Sequence, residues 1–417
     1  MKTKKSSLII ILFFIMFFLP FSVNAIPPPI TYKIIPTPSV SFDNTEVIFS
    51  AVNMENGLMM AIKNDNTLWA WGTNEIKVFG DDIYELRLNP VKIMNDVIQV
   101  SSGISQAMAL KVDGSLWKIK SIPVKIMDDV IQVSTEHYRT MAIKNDGTLW
   151  AWGWNWYGQL GDGTTTERLT PVKIMDDVIQ VSVGISHTMA IKNDGSLWAW
   201  GLNEYGQLGD STTTDRIIPI KIMDNVIQVS SGKYHTMAVK DDNSLWAWGT
   251  NYNGEFGNGM TTNSSTPIKI MDDVVKVSAG SGYTMIIKND SSLWACGFNR
   301  YGQLGLGDRT VTNYDYFEDG TRLEYYENQL IPVKIMDNVI QISTGYPHTT
   351  VITSDGSLWA WGSGYLGDGT EGRKISPVKI MNGKLVASPQ TGNTINIIIL
   401  FYIIFFSAIL YKKVKII

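Results

Sequence analysis

Apolar and polar positions alternate along this chain in short runs that return at a fixed interval. In one stretch the runs are Pro171 to Ile174, Val178 to Ser182, Thr188 to Lys192 and Ser196 to Gly201, rich in Val, Ile and Trp and separated by turn residues. Such runs predict four short β-strands. Asn193-Asp194-Gly195 lies between the last two and is a hairpin signal, because glycine tolerates the positive φ of a tight turn. In Leu197-Trp198-Ala199-Trp200-Gly201 the two tryptophans point to one face, and Leu197 and Ala199 to the other. The large pair of one unit is expected to pack on the small face of the next.

The whole set of strands repeats. The block P-[VI]-K-I-M-D-[DN]-V-[IV]-x-V-S starts at Pro123, Pro171, Pro219 and Pro267, a constant spacing of 48 residues. A fixed period of this length marks a repeat architecture, in which each unit buries its apolar faces only against its neighbours. Leu-Trp pairs count seven copies, beginning at Leu68, Leu116, Leu149, Leu197, Leu245, Leu293 and Leu358. Seven sets of four antiparallel strands predict an all-β, seven-bladed β-propeller over residues 46–381. Residues 26–45 read as a linker with a possible closing strand. Pro377-Val378-Lys379-Ile380-Met381 is a strand without a blade, expected to return to the first copy and close the ring. The second copy, Pro90 to Ile122, has 33 residues and lacks the G-x-N-x-[YN]-G-[QE]-[LF]-G run found elsewhere, so its blade should be cut short at one loop.

Two places break the repeat in ways that packing does not require. The interval from Pro267 to Pro332 is 65 residues, 17 more than the period, with the extra residues inside Asp308 to Ile331. They include Tyr314, Tyr316, Phe317, Tyr325 and Tyr326 among several acidic residues. A loop of this length with its own aromatics is often functional, and the alternative is a solvated hairpin capping its own hydrophobics. Trp154 and Trp156 flank Asn155 in slots that hold Leu202 and Glu204, or Thr250 and Tyr252, in other copies. Variable slots of a repeat face solvent, so this pair is a candidate for stacking on carbohydrate or anchoring a protein, with edge packing as the alternative.

The two ends change the picture from a propeller to an exported one. Residues 1–25 carry Lys2, Lys4 and Lys5, an apolar stretch from Leu8 to Phe21 and a small-residue site at Val23-Asn24-Ala25, the order of a secretory signal peptide. Ile395 to Tyr411 is 17 residues without a charge, followed by Lys412, Lys413 and Lys415, and reads as a short membrane span with a basic flank. Of 35 Lys and Arg, three lie in the leader and three in the tail, which leaves 29 against 39 Asp and Glu and a charge of −10 on the exported part. So acidic a surface has no electrostatic footprint for nucleic acid, and none is expected as a partner. The single cysteine, Cys296, cannot form an internal disulfide, and it stands in the slot of Trp152, Trp200, Trp248 and Trp361, as expected of a core thiol.

Candidate chemistry is sparse. His187, His235 and His348 share one slot of the repeat, which spreads them around a ring and favours hydrogen bonding over a common metal site. Asp162, Asp210 and Asn258 stand in polar turns with one carboxylate or amide each, short of the 6–8 oxygens that calcium takes. No HExxH, GxSxG, CxxC or P-loop motif is present, so no catalytic residues, metal or cofactor are expected and the chain is read as a non-enzyme.

Gly201-Leu202-Asn203-Glu204-Tyr205-Gly206-Gln207-Leu208-Gly209, preceded by Ser182 to Thr188, resembles the repeat of the regulator of chromosome condensation family. The resemblance implies a seven-bladed propeller and functions that range from nucleotide exchange to secreted inhibition of β-lactamase. Ser388-Pro389-Gln390-Thr391-Gly392, in the 382–392 linker before the 393–417 membrane segment and tail, resembles the LPXTG sorting signal of Gram-positive surface proteins. It has Ser388 where Leu is commonest. That resemblance implies cleavage by a sortase between Thr391 and Gly392 and attachment to peptidoglycan. Together these features point to a wall-anchored, adhesin-like surface propeller that binds a host or environmental protein or glycan. The alternatives are an inhibitor of a secreted enzyme such as a β-lactamase, an enzyme acting on wall glycans, or a propeller held in the membrane and facing outside.

Overall fold

The computed structural model describes residues 33–34, 52–53 and 57–381, apart from 64, 75, 81–84, 104, 308–310 and 317–321. The expected signal peptide, sorting motif, membrane segment and tail lie outside the described residues. Among the described residues every regular element is a strand, and seven sheets of four or five strands follow one another along the chain. They are the seven blades of a propeller. In the fourth, the strands are Val178–Val183, His187–Lys192, Leu197–Gly201 and Arg216–Met223, paired antiparallel in chain order. First strands of neighbouring blades touch one another, so they line the axis. The side-chain amide of Gln132 bonds both the carbonyl and the N–H of Val181 at 3.1 Å, and Gln180 does the same to Val229. Each glutamine thereby extends the backbone ladder from one blade to the next.

Between blades, Trp198 and Trp200 pack with Leu149 and Ala151 of the third blade, and Trp246 and Trp248 with Leu197 and Ala199 of the fourth. The large pair therefore packs on the small face of the preceding blade in chain order, not the following one. A latch fixes this interface. The Gln159 carbonyl, in the loop leaving the third blade, accepts from Trp200 Nε1 at 3.0 Å and from Thr188 Oγ1 at 2.8 Å. Leu160 enters the same core, and Gly161, at φ +83°, lies so close that a Cβ there would sit 2.7 Å from Trp200 Nε1. The G-Q-L-G run is thus the clamp of one blade on the next, and its final residue must be glycine. Gln207 and Gln303 repeat the arrangement on Trp248 and Trp361.

Two expectations about strand order are corrected. The strand Arg168–Met175, which contains Pro171, pairs with Leu149–Gly153, so each proline strand is the outer strand of the preceding blade and not the first of its own copy. Proline has no N–H to give a ladder, and the outer edge is where the missing donor costs nothing. For the same reason Lys374–Met381 does not return to the first copy: it pairs with Leu358–Gly362 and completes the seventh blade. The first blade starts with its own strand, Val52–Asn53, and Lys33–Ile34 adds a parallel fifth strand on its outer edge beside Glu85–Met94. The seam closes by packing, with no strand shared and with Trp71 Nε1 lacking the latch hydrogen bond among the described residues. Leu366 is buried, a Cβ on Gly367 would sit 2.5 Å from Trp71 Nε1, and Met59, Ala61 and Trp71 pack with Ile352, Leu358 and Met381.

The second blade keeps four strands, Val97–Gly103, Gln106–Lys111, Leu116–Ile119 and Val124–Met127, and loses the latch loop as expected. Trp152, which follows it, is 8% exposed where Trp71, Trp200, Trp248 and Trp361 are fully buried. At the sixth blade Cys296 replaces the tryptophan, and the preceding latch carries Phe256 in place of leucine. Its thiol reaches the Glu255 carbonyl at 3.5 Å, so the larger latch residue accompanies the smaller core residue.

Candidate binding face

Turns from first to second strands and loops from third to fourth strands share one end of the propeller, because successive strands are antiparallel. Variable residues of the repeat gather on this loop face. Trp154 and Trp156 project from the loop of the third blade with rings stacked at 4.8 Å and 20°. Tyr138, from the turn beside them, lies 4.6 Å from Trp154. Trp156 is 65% exposed while its stacking partner is half-buried, so a rigid base carries an open indole. Asn155 between them is fully buried, with Nδ2 donating to Asp162 Oδ1 and the Thr164 and Thr166 carbonyls, which fixes the loop. Asp162 is itself bound by Thr164 and by Arg168 Nε, so this carboxylate is occupied by protein donors.

Sequence reasoning missed a second aromatic group on the same face. Tyr205, Tyr234, Tyr252, Phe298 and Tyr346 line a groove of about 330 Å3 across the fourth to seventh blades. Tyr205 and Tyr234 lie 5.2 Å apart, and Lys233 Nζ stands 5.7 Å from Tyr234 and 5.9 Å from Tyr346. Glu255 closes the groove floor. It replaces the latch glutamine, is 2% exposed, and accepts from the N–H and side-chain amide of Asn253 at 2.9 Å each. Burial pushes its carboxyl up despite these donors. The signal that could have found the group is topological: a tyrosine before the repeated histidine slot and one in the latch loop meet only once both are placed at the same end.

The insertion is a hairpin. Val311–Tyr316, which holds Tyr314 and Tyr316, pairs antiparallel with Arg322–Tyr326, which holds Tyr325 and Tyr326, in a register that sets Asn313 opposite Tyr325. Phe317 and the sorting residues Ser388, Pro389, Gln390, Thr391 and Gly392 lie outside the described residues. At the hairpin's root Asn328 Nδ2 donates to Asn253 Oδ1, so it springs from the border of the tyrosine groove. Trp154 and Trp156 are brought together, whereas the hairpin stands on the sixth blade, away from them.

The shared histidine slot is internal. His187 Nε2 meets Thr236 Oγ1 of the next blade at 3.1 Å, and His235 Nε2 meets Thr284 Oγ1 at 3.2 Å. Gln106, Arg139 and Tyr283 bridge to the next blade from the same slot. Burial holds His187 and His235 down to about 3, with Arg139 and His235 adding to the effect at His187, and Arg139 itself down to about 10. Among the described residues no group of His, Cys, Asp and Glu is placed to hold a metal ion. The chemistry available on the loop face is recognition through stacking and hydrogen bonding.

Residues 118–398 match the RCC1-like domain. Human WBSCR16 is similar in structure at 21% identity, over 74% of this chain and 88% of that one, with a TM-score of 0.63. Prp20p from Saccharomyces cerevisiae, whose structure was described with its binding properties to Gsp1p and histones, is 19% identical over 81% of this chain and 88% of its own, at 0.64. Yeast RCC1 (Prp20) bound by Kap60 gives 18% identity, 81% and 85% coverage, and 0.64. These likenesses establish the fold, and the matched residues span most of the propeller. The chain belongs to the RCC1-like domain family.

Proposed function

We propose that this propeller is a protein-binding module displayed on the cell surface, and that it engages its partner with the loop face. One observation carries the reading: Trp156 is exposed on a stack with Trp154 that is backed by Tyr138, the arrangement of a preorganised interface anchor. The hairpin from Val311 to Tyr326 widens the same face by an element that the repeat does not need. Protein binding is a use of this fold in yeast Prp20p, and the scaffold has no catalytic motif that would favour an enzyme. Display rests on the leader, the Thr391-Gly392 signal and the apolar segment with its basic tail.

The test is capture of extracellular and secreted proteins on the full-length protein, with Trp156→Ala and a deletion of residues 311–326 in parallel. A discrete protein retained by the wild type and lost from either variant supports the reading, and identifies an inhibitor if that protein is an enzyme. Equal retention by all three forms would place binding elsewhere and sink it.

A further inference from the structure

At the axis the loop face opens into a well of about 250 Å3 whose described wall comes from six blades, from Ser101 in the second to Tyr346 in the seventh. Hydroxyls dominate that wall. Ser101 Oγ accepts from the Thr135 N–H at 2.8 Å and Ser230 Oγ from the Ala279 N–H at 2.9 Å, which leaves each hydroxyl proton free to be donated into the well. Lys233 and Glu136 are the charged residues of the described wall, one of each sign, so the described wall favours neither an anion nor a cation.

The well is continuous with the tyrosine groove, since Lys233, Ser281 and Tyr346 line both. Polar groups of both senses therefore converge beside flat amphipathic rings. A purely apolar ligand would leave the hydroxyl ring dry and unpaired, and an ion would meet opposed charges. A sugar ring satisfies both parts: its hydroxyls exchange hydrogen bonds with the serines, and its C–H face lies on tyrosine. We propose that the axial well and its tyrosine shelf form a binding site for a neutral pyranose residue, as a monosaccharide or at the end of a glycan. The site is independent of the Trp154–Trp156 anchor on the third blade.

Saturation-transfer NMR on the full-length protein, in a detergent without a sugar headgroup, tests the site with methyl α-glucoside, methyl β-galactoside, methyl α-mannoside and N-acetylglucosamine. Glucuronate and inorganic phosphate are the charged controls. At least one neutral sugar is expected to show transfer, weakened about tenfold in Tyr346→Ala and in Ser230→Ala and unchanged in Leu169→Ala, an exposed site on the outer strand of the third blade. Lys233→Met, on the surface of the well, serves as a further variant if Ser230→Ala does not fold, and should weaken binding too. Absence of transfer from all four sugars, equal affinity in the Tyr346 and Lys233 variants, or binding of the charged controls alone would overturn the proposal.

Discussion

His235 Nε2 lies 3.2 Å from Thr284 Oγ1 of the following blade, whereas His348, in the same slot of the seventh blade, has no partner for either ring nitrogen among the described residues. The difference is the residue across the interface, since the first blade offers Met59 where the sixth offers Thr284. Replacing His235 by Leu removes this bond while the Thr284 hydroxyl keeps donating to the Glu255 carbonyl at 2.7 Å, and costs about 0.5–1.5 kcal/mol beyond the change in packing. His348→Leu removes no such bond and is expected to be nearly neutral by comparison. Denaturant melts of the two variants give the contrast directly.

The buried histidines also set an acid limit. An unfolded histidine takes up a proton near pH 6.5, but burial holds His187 and His235 down to about 3 and His348 to about 4. Between those values the unfolded chain binds protons that the folded chain refuses. Stability is therefore complete above pH 6.5 and falls as the pH drops through this window, by up to about 1.4 kcal/mol per pH unit for each histidine. Melting temperature against pH should decline well above the carboxylate range. His187→Gln with His235→Gln should flatten the decline, because Gln106 already makes the equivalent bond to Thr140 at 3.2 Å.

At the sixth blade the small Cys296 and the large latch residue Phe256 are matched. Cys296→Trp alone overfills the site and should cost about 1–3 kcal/mol, with much of the loss recovered by adding Phe256→Leu. A cycle in which the two changes are merely additive would disprove the match. Burial raises the Cys296 thiol, so it should resist thiol reagents until the blade opens.

Gly161→Ala tests the latch itself. Its φ of +83° and the 2.7 Å approach to Trp200 Nε1 leave no room for a methyl group, and a loss of about 1–3 kcal/mol is expected. Trp200→Ala should cost about 3–5 kcal/mol at the same interface. Trp156→Ala, on the exposed side of the third-blade loop, should change stability by less than about 0.5 kcal/mol.

The display reading makes its own prediction. Thr391→Ala removes the residue whose carboxyl would be joined to the wall, so the protein should shift from the wall fraction to the membrane fraction. Unchanged covalent retention would disprove sorting at this bond.

Much of the architecture was legible in the spacing of Leu-Trp pairs, which counts the blades one for one. Phase was not legible from periodicity, because a 48-residue cycle can be cut anywhere without altering its period. The recurring proline held the answer. Pro171 and its equivalents mark an edge strand, which makes Arg168–Met175 the end of a blade, and the same inference applied to Pro377 removes the need for a strand returning to the first copy. Trp154 and Trp156 could be singled out because they depart from their slots. Tyr205 and Tyr234 could not, since their 5.2 Å approach joins two different blades through a contact that no local pattern encodes.

Because Gln159 of the third blade holds Trp200 of the fourth, and Gln207 of the fourth holds Trp248 of the fifth, support passes along the chain in one direction. Damage should travel the same way. A blade that loses its own loop keeps its core but releases the tryptophan of its successor, so a lesson from one variant must be sought one blade downstream. At the seam, where Gly367 meets Trp71 and no strand is shared, that polarity turns a closed ring into a chain of dominoes with a defined first gap.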